Sequence, residues 1–262
     1  MQQFQYVRRF RDLGIDDVPL VGGKNASLGE MYRALAGAGV RVPNGFATTA
    51  QAYRDYLAHN DLHTRIQEML AQLDVDDVDA LATSGAQIRG WIVDAELPPL
   101  LASEISAAYA EMTTEYGDDT DVAVRSSATA EDLPDASFAR HHETYLTIRG
   151  TEHLLRTCKR VLASLFTDRA IHYRVVKGFD HMSIALSIGV QHRVRPDVGA
   201  SGVMFTLDTE SGIRDVLMVT SAYGQGENVV QGAVNPDEFL VYKPTLEQGH
   251  RPIIRRHRGE KA

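Results

Sequence analysis

Two stretches of this 262-residue chain carry side chains suited to anion chemistry. The first is Val21-Gly22-Gly23-Lys24-Asn25-Ala26-Ser27, where two glycines and a lysine stand at the start of an amphipathic segment. Open amides, the positive end of a helix dipole and an ammonium group all favour phosphate at such a place. It is not a Walker A loop, which would need glycine at Val18 and a hydroxyl at Asn25. The alternative is an ordinary capped helix whose lysine faces solvent. The second stretch is Val124-Arg125-Ser126-Ser127-Ala128-Thr129-Ala130-Glu131-Asp132-Leu133-Pro134-Asp135-Ala136-Ser137-Phe138-Ala139. A strand ending in arginine offers a planar fork of donors to phosphate oxygens. Ser126, Ser127 and Thr129 add short hydroxyl donors, and the small residues permit close backbone approach. The alternative here is a surface loop with a structural arginine.

The elements that must position these groups change character at Asp121. Before it the chain reads as mostly helical. Leu28, Met31, Tyr32 and Leu35 make one helical face, which Gly37 and Gly39 stop. Pro43-Asn44-Gly45 reads as a turn, and Thr48 or Thr49 caps a helix through about Leu57. Further helices are expected at 61–73, 76–93 and 98–116. From Asp121 onward DVAVRSS and ETYLTIRG (143–150) alternate as strands, and 151–177 reads as one or two helices with Leu154, Leu155, Val161, Leu162 and Leu165 inward. Strands are then expected at 183–194, 200–206, 214–221 and 237–243. The fold class is α+β: a helix-rich part over 1–120 carrying the Gly-Gly-Lys loop, and a strand-rich nucleotide-binding part over 121–262.

Composition removes several classes of function. A net charge of −8 argues against broad nucleic-acid binding, which needs a basic face. The exception is the basic end, Arg251, Arg255, Arg256, Arg258 and Lys261, read as a solvated or truncated tail, with a nucleic-acid arm as the remote alternative. Cys158 is the sole cysteine, so neither an intrachain disulfide nor a cysteine zinc cluster is available. No signal-peptide core opens the chain, and the apolar run 182–190 is too short to span a bilayer. A soluble cytoplasmic protein without a membrane partner is expected.

Taken together, VGGKNASLGEM, VAVRSSATAEDLPDASFA, LFTDRAIHYR, ASGVMFTLDTESG and YGQGENVVQGAVNPDEFLVYK resemble the nucleotide-binding domain of the phosphoenolpyruvate synthase (pyruvate, water dikinase) family. Their order and spacing agree along nearly the whole chain. Pyruvate, phosphate dikinases and rifampicin phosphotransferases share the domain. The resemblance implies an ATP-grasp fold, in which two α+β subdomains hold ATP, with Mg²⁺ as cofactor. It places Lys24 and Arg125 on the nucleotide phosphates and Thr144, just past the phosphate loop, on the same group. Gln191 would line the pocket near the adenine or ribose, with a plain polar strand end as its alternative; Glu227 and Gln231 remain outside the site.

The chain departs from the family pattern in two ways. Where the family reads Ser-Phe-Ala-Gly-Gln-Gln-Glu-Thr, this chain has Ser137-Phe138-Ala139-Arg140-His141-His142-Glu143-Thr144. Arg140 therefore joins the candidate ATP-binding residues, either adding charge to the clamp or filling space that a glycine would leave. His141 and His142 are adjacent on an extended segment and point to opposite sides, which disfavours a shared metal ion. The second departure is the end of the chain at Ala262, before the family's acidic metal-binding motif and its Gln-x-Arg-Pro motif. A fold truncated at its C-terminus is expected, without metal ligands and with its catalytic residues unknown. The phosphohistidine and pyruvate-binding domains are expected as partners in a full-length enzyme. Without them these residues should not form phosphoenolpyruvate. A non-catalytic nucleotide-binding remnant is the rival from another class.

Overall fold

The computed structural model describes residues 4–118, 120–129, 132–133, 136–137 and 143–259, and the chain divides into two units, Met1–Arg193 and Val194–Ala262. Helix and sheet are mixed, as an α+β reading requires. The change of element type at residue 121 falls inside the first unit.

In chain order the first unit contains β1 (Val7–Arg9), α1 (Val18–Ala36), β2 (Gly45–Thr48), α2 (Ala50–His59), α3 (Leu62–Ala71), α4 (Val78–Asp94) and α5 (Pro99–Tyr116). There follow β3 (Val122–Ala128), the short antiparallel pair β4 (Asp132–Leu133) and β5 (Ala136–Ser137), β6 (Thr144–Ile148), α6 (Thr151–Ala163), α7 (Asp168–Val176) and β7 (Leu186–His192). Five of these strands form one antiparallel sheet in the order β1-β2-β7-β3-β6.

Alternation along the strands gives this sheet two unlike faces. On one, Phe46, Val122, Val124, Ile188 and Val190 join the main core with Tyr56 of α2, Ile88 of α4, Ile105 of α5 and Leu154 and Val161 of α6. On the other, Ala47 packs with Phe10, Leu13 and two residues of α1, Val21 and Ala26. Helix α1 therefore covers the face that carries the polar members of β3 and β7.

Several elements differ from what spacing suggests. Helix α1 buries Val21, Gly22, Gly23, Asn25, Ala26 and Gly29, whereas Met31, from the expected apolar face, is 42% exposed. The helix lies too close to its neighbours for large side chains: a Cβ on Gly29 would stand 2.4 Å from Leu13 Cβ. Strands β1 and β2 lie in the part expected to be helical. They are three and four residues long, and β2 is buried throughout, so it shows no alternation to read. Residues 151–177 form two helices separated by a 3₁₀ turn at Ser164–Phe166.

The second unit contains β8 (Ala200–Phe205), β9 (Val216–Tyr223), α8 (Gly226–Val230), β10 (Asp237–Tyr242), α9 (Lys243–Glu247) and β11 (Ile253–His257). Its antiparallel sheet runs β11-β10-β9-β8. Within the basic end, Arg255 and Arg256 lie on β11, with Arg256 opposite Phe239 and Arg255 opposite Leu240. Among the described residues, no helix is long and apolar enough to cross a membrane.

Edge strand β1 is held by one carboxylate. Glu104 of α5 is 5% exposed and accepts from the backbone amides of Gln5 and Tyr6 at 2.7 Å each and of Val7 at 3.1 Å. Replacing it strands buried N–H donors, at roughly 1–3 kcal/mol for each fully buried group. Glu104→Ala should lower unfolding free energy by about 2–3 kcal/mol, and Glu104→Gln by less, since one acceptor oxygen remains. Urea denaturation checks this. A loss below about 0.5 kcal/mol would show that pairing with β2 holds the strand unaided.

Candidate functional site

The site begins with a break in α1. Gly22 has φ 77° and ψ 161°, outside helical geometry, so α1 is broken there and a helical segment restarts at Gly23-Lys24. The backbone also approaches β3 closely at this residue. A Cβ at Gly22 would stand 2.3 Å from Ser127 Oγ and 2.7 Å from the Ser127 carbonyl oxygen. On the other side of Lys24, the Asn25 N–H donates to Ser127 Oγ at 3.4 Å. Half-buried Lys24 thus sits between two residues that both meet Ser127.

Ser127 is two positions along β3 from Arg125, hence on the same face of the sheet. Register brings in the rest: Arg125 stands opposite Thr144 of β6 and Gly189 of β7, and Gln191 lies two residues beyond Gly189. Arg125 Nη2 donates to Gln191 Oε1 at 3.0 Å, and Gln191 Nε2 donates to the Pro43 carbonyl at 3.1 Å. Both ends of the Gln191 amide are engaged, so it fixes the guanidinium plane. Arg125 Nε is buried without a partner among the described residues, and burial lowers the Arg125 pKa. A guanidinium stays protonated under such a shift. The result is a half-buried, partly satisfied cation, which gains from an anion.

Register therefore brings Arg125, Thr144 and Gln191 to one sheet face, and Lys24 belongs to the helix that covers it. Arg140 lies outside the described residues, as do His141 and His142. The hydroxyls beside Arg125 serve the fold. Ser126 is fully buried on the opposite face, Ser127 accepts from Asn25, and Thr129 Oγ1 donates to the Ala185 carbonyl at 3.2 Å. Strand alternation could have separated Ser126 from Arg125; nothing in the sequence marks Asn25 or Ser187 as their buried neighbours.

The end of β7 is fastened as well. The His192 ring stacks on Tyr116 with centroids 3.8 Å apart, and burial holds its pKa below the usual imidazole value. Arg193 donates to Asp121 Oδ2 at 2.9 Å and to Thr147 Oγ1 at 3.2 Å. On the helix face, a cavity of about 450 Å³ is lined in part by Arg89, Glu143, Tyr145, Arg160 and Asp168. Its cations are already occupied: Arg89 pairs with Asp168 at 2.7 Å, and Arg160 lies over the Tyr145 ring at 4.5 Å. Among the described residues, no group of three or more His, Cys, Asp or Glu side chains is arranged to hold a metal ion.

A family model described as pyruvate phosphate dikinase, AMP/ATP-binding domain, matches residues 18–262. Phosphoenolpyruvate synthase from Pseudomonas aeruginosa (strain UCBPP-PA14) is 62% identical over 258 residues, 98% of this chain and 32% of the relative. The synthases of Deinococcus radiodurans and Escherichia coli (strain K12) are 59% and 55% identical, over 97% and 96% of this chain and 32% of each relative. The chain thus spans about a third of the length of these relatives.

Gly22→Ala tests the close approach that sets this geometry. The new Cβ meets backbone as well as side chain at a positive φ, so it should cost at least about 2 kcal/mol of stability. Gly37→Ala at the exposed end of α1, where nothing lies within 4 Å, should be within about 0.5 kcal/mol of the parent. Thermal unfolding of the two variants reads the difference, and equal midpoints would remove the contact from the argument.

Proposed function

We propose, on the premise that this chain belongs to the pyruvate phosphate dikinase AMP/ATP-binding domain family, that it is the ATP-binding part of a phosphoenolpyruvate synthase. The whole enzyme would convert ATP, pyruvate and water to phosphoenolpyruvate, AMP and phosphate. This part would pass the β-phosphoryl group of ATP to a histidine on another domain, and a further domain would bind pyruvate. The fold is ATP-grasp-like in this reading. The observation that carries it is Arg125: half-buried, braced by Gln191, with Nε unpartnered among the described residues, and on the sheet face covered by the restarted helix of Lys24.

Lys24 and Arg125 bind phosphate oxygens in this assignment, as a point charge and a planar fork. The Gly23 and Lys24 amides add the positive end of the α1 dipole. Thr144, exposed opposite Arg125, contributes a hydroxyl to the same group. Gln191 lines the pocket and orients Arg125. Its contact with the base or ribose would exchange one of its two present bonds. Together these groups hold the phosphate chain in line and offset charge on its oxygens, the main demands of phosphoryl transfer. Mg²⁺ bound with ATP would supply further charge neutralisation; none of the described residues is assigned to it.

Calorimetric titration with ATP tests the assignment. Arg125→Lys keeps the charge and loses the fork, so nucleotide affinity should fall by roughly 1–3 kcal/mol while adenosine binding stays unchanged. An unchanged ATP dissociation constant in a folded variant would return Arg125 to a purely structural role.

Arg140 gives a second test. In this reading a long side chain where the family has glycine would take space beside the phosphates. The combined change Arg140→Gly, His141→Gln and His142→Gln should then strengthen ATP binding and leave adenosine unaffected. If ATP binding weakens instead, more so at low salt, Arg140 is a phosphate ligand.

A further inference from the structure

We propose that Asn25 is a positioning residue for the phosphate-binding end of α1, acting through a buried polar thread that runs across the sheet. The inference rests on the reading of Lys24 and Arg125 as phosphate ligands. Asn25 is fully buried, an unusual place for a side-chain amide. Its Nδ2 donates to Ser187 Oγ at 2.8 Å and to the Val21 carbonyl at 3.1 Å, and its backbone N–H reaches Ser127 Oγ at 3.4 Å. Ser187 Oγ donates in turn to the Thr48 carbonyl at 2.5 Å, and the Ile188 N–H donates to Thr48 Oγ1 at 2.9 Å. The thread thus joins α1 to β7 and β2 and touches β3 on the way.

The fourth member is a glycine. Asn25 Oδ1 occupies the space a Cβ on Gly189 would need, 2.2 Å from that position, so the Gly189 Cα–H points at the oxygen. Oδ1 has no other partner among the described residues. Gly189 is also the residue opposite Arg125. The side chain therefore meets β7 at Ser187 and at Gly189, the position opposite the residue that carries the fork.

A need for register explains why a buried amide stands here. The buried face of α1 is mainly Gly22, Gly23, Ala26 and Gly29. Such a face packs closely but has few projections, so packing alone does little to stop the helix sliding or turning on the sheet. Directional hydrogen bonds from one buried polar side chain select a single placement, as a lone buried asparagine does for helix register elsewhere. The placement selected sets Lys24 and the start of the restarted helix relative to Arg125.

The test is a titration of Asn25→Ala and Ser187→Ala with ATP and with adenosine, each alone and combined with Lys24→Met. Ser187→Ala removes the acceptor while leaving Asn25 in place, and carries the test if Asn25→Ala does not fold. Each variant should weaken ATP about tenfold and change adenosine by less than about twofold. On the Lys24→Met background the same changes should alter ATP affinity by less than about twofold, because the group they position is gone. Equal losses for ATP and adenosine, or effects additive with Lys24→Met, would overturn the proposal and leave the phosphate site standing. If Lys24→Met itself leaves ATP binding unchanged, the phosphate reading fails, and the positioning role falls with it.

Discussion

At Gly22 the backbone of α1 meets β3 so closely that no side chain fits between them. Most of the candidate site depends on that one approach. The helix is broken at the same residue, which has left helical dihedral angles. A new helical segment starts at Gly23-Lys24, in the helix that covers the face carrying Arg125. A helix held off by leucines would present its amides several ångströms farther from the strands. The small residues of α1 are therefore part of the site's geometry, although none of their side chains could bind a ligand.

The five-stranded sheet makes the same division. Along β3, Val122, Val124 and Ala128 belong to the main core, while Ala123, Arg125 and Ser127 belong to the α1 face. This alternation is legible in DVAVRSSA, and with it the strand, the side on which Arg125 stands and the separation of Ser126 from it. The partners β1 and β2 are not legible. A three-residue strand and a four-residue strand buried throughout have no period to detect, and Pro43-Asn44-Gly45 beside them reads as a turn. They belong to the sheet because of long-range facts, notably the Glu104 carboxylate under β1 and the Thr48 bonds to β7. The buried face of α1 is hidden for a related reason. Periodicity weights large apolar residues, and this interface selects small ones.

Site residues were legible to the extent that their chemistry differs from the background. A lysine after two glycines and an arginine at the end of a strand are conspicuous, and register shows that Arg125, Thr144 and Gln191 are neighbours. The neutral members, Asn25, Ser187 and the carbonyl of Pro43, look like ordinary polar positions in the sequence. They acquire roles only when strands distant in sequence pair. The same holds for the end of β7, where His192 meets Tyr116 and Arg193 meets Asp121 through contacts between residues more than seventy positions apart.

Two arginines, one fully buried and one half-buried, mark the difference between a structural cation and one proposed to meet a ligand. Arg174 of α7 is fully buried; its Nη1 donates to the Leu165 carbonyl at 2.7 Å, its Nε to His181 Nδ1 at 2.9 Å, and its guanidinium lies 5.3 Å from the Phe166 ring centre. Burial pushes its pKa down to about 10, and burial of His181, helped by the Arg174 charge, lowers that imidazole to about 4. Arg125 also loses solvent but is only half-buried, with the Gln191 amide oxygen as a partner. Each arginine leaves one nitrogen without a partner among the described residues, so that feature alone does not separate them. Access does. Arg174 is enclosed by carbonyl, imidazole and ring, which leaves no route for an anion to its guanidinium. Arg125 sits beside a restarted helix and opposite an exposed threonine, the side from which the proposed phosphate would reach it.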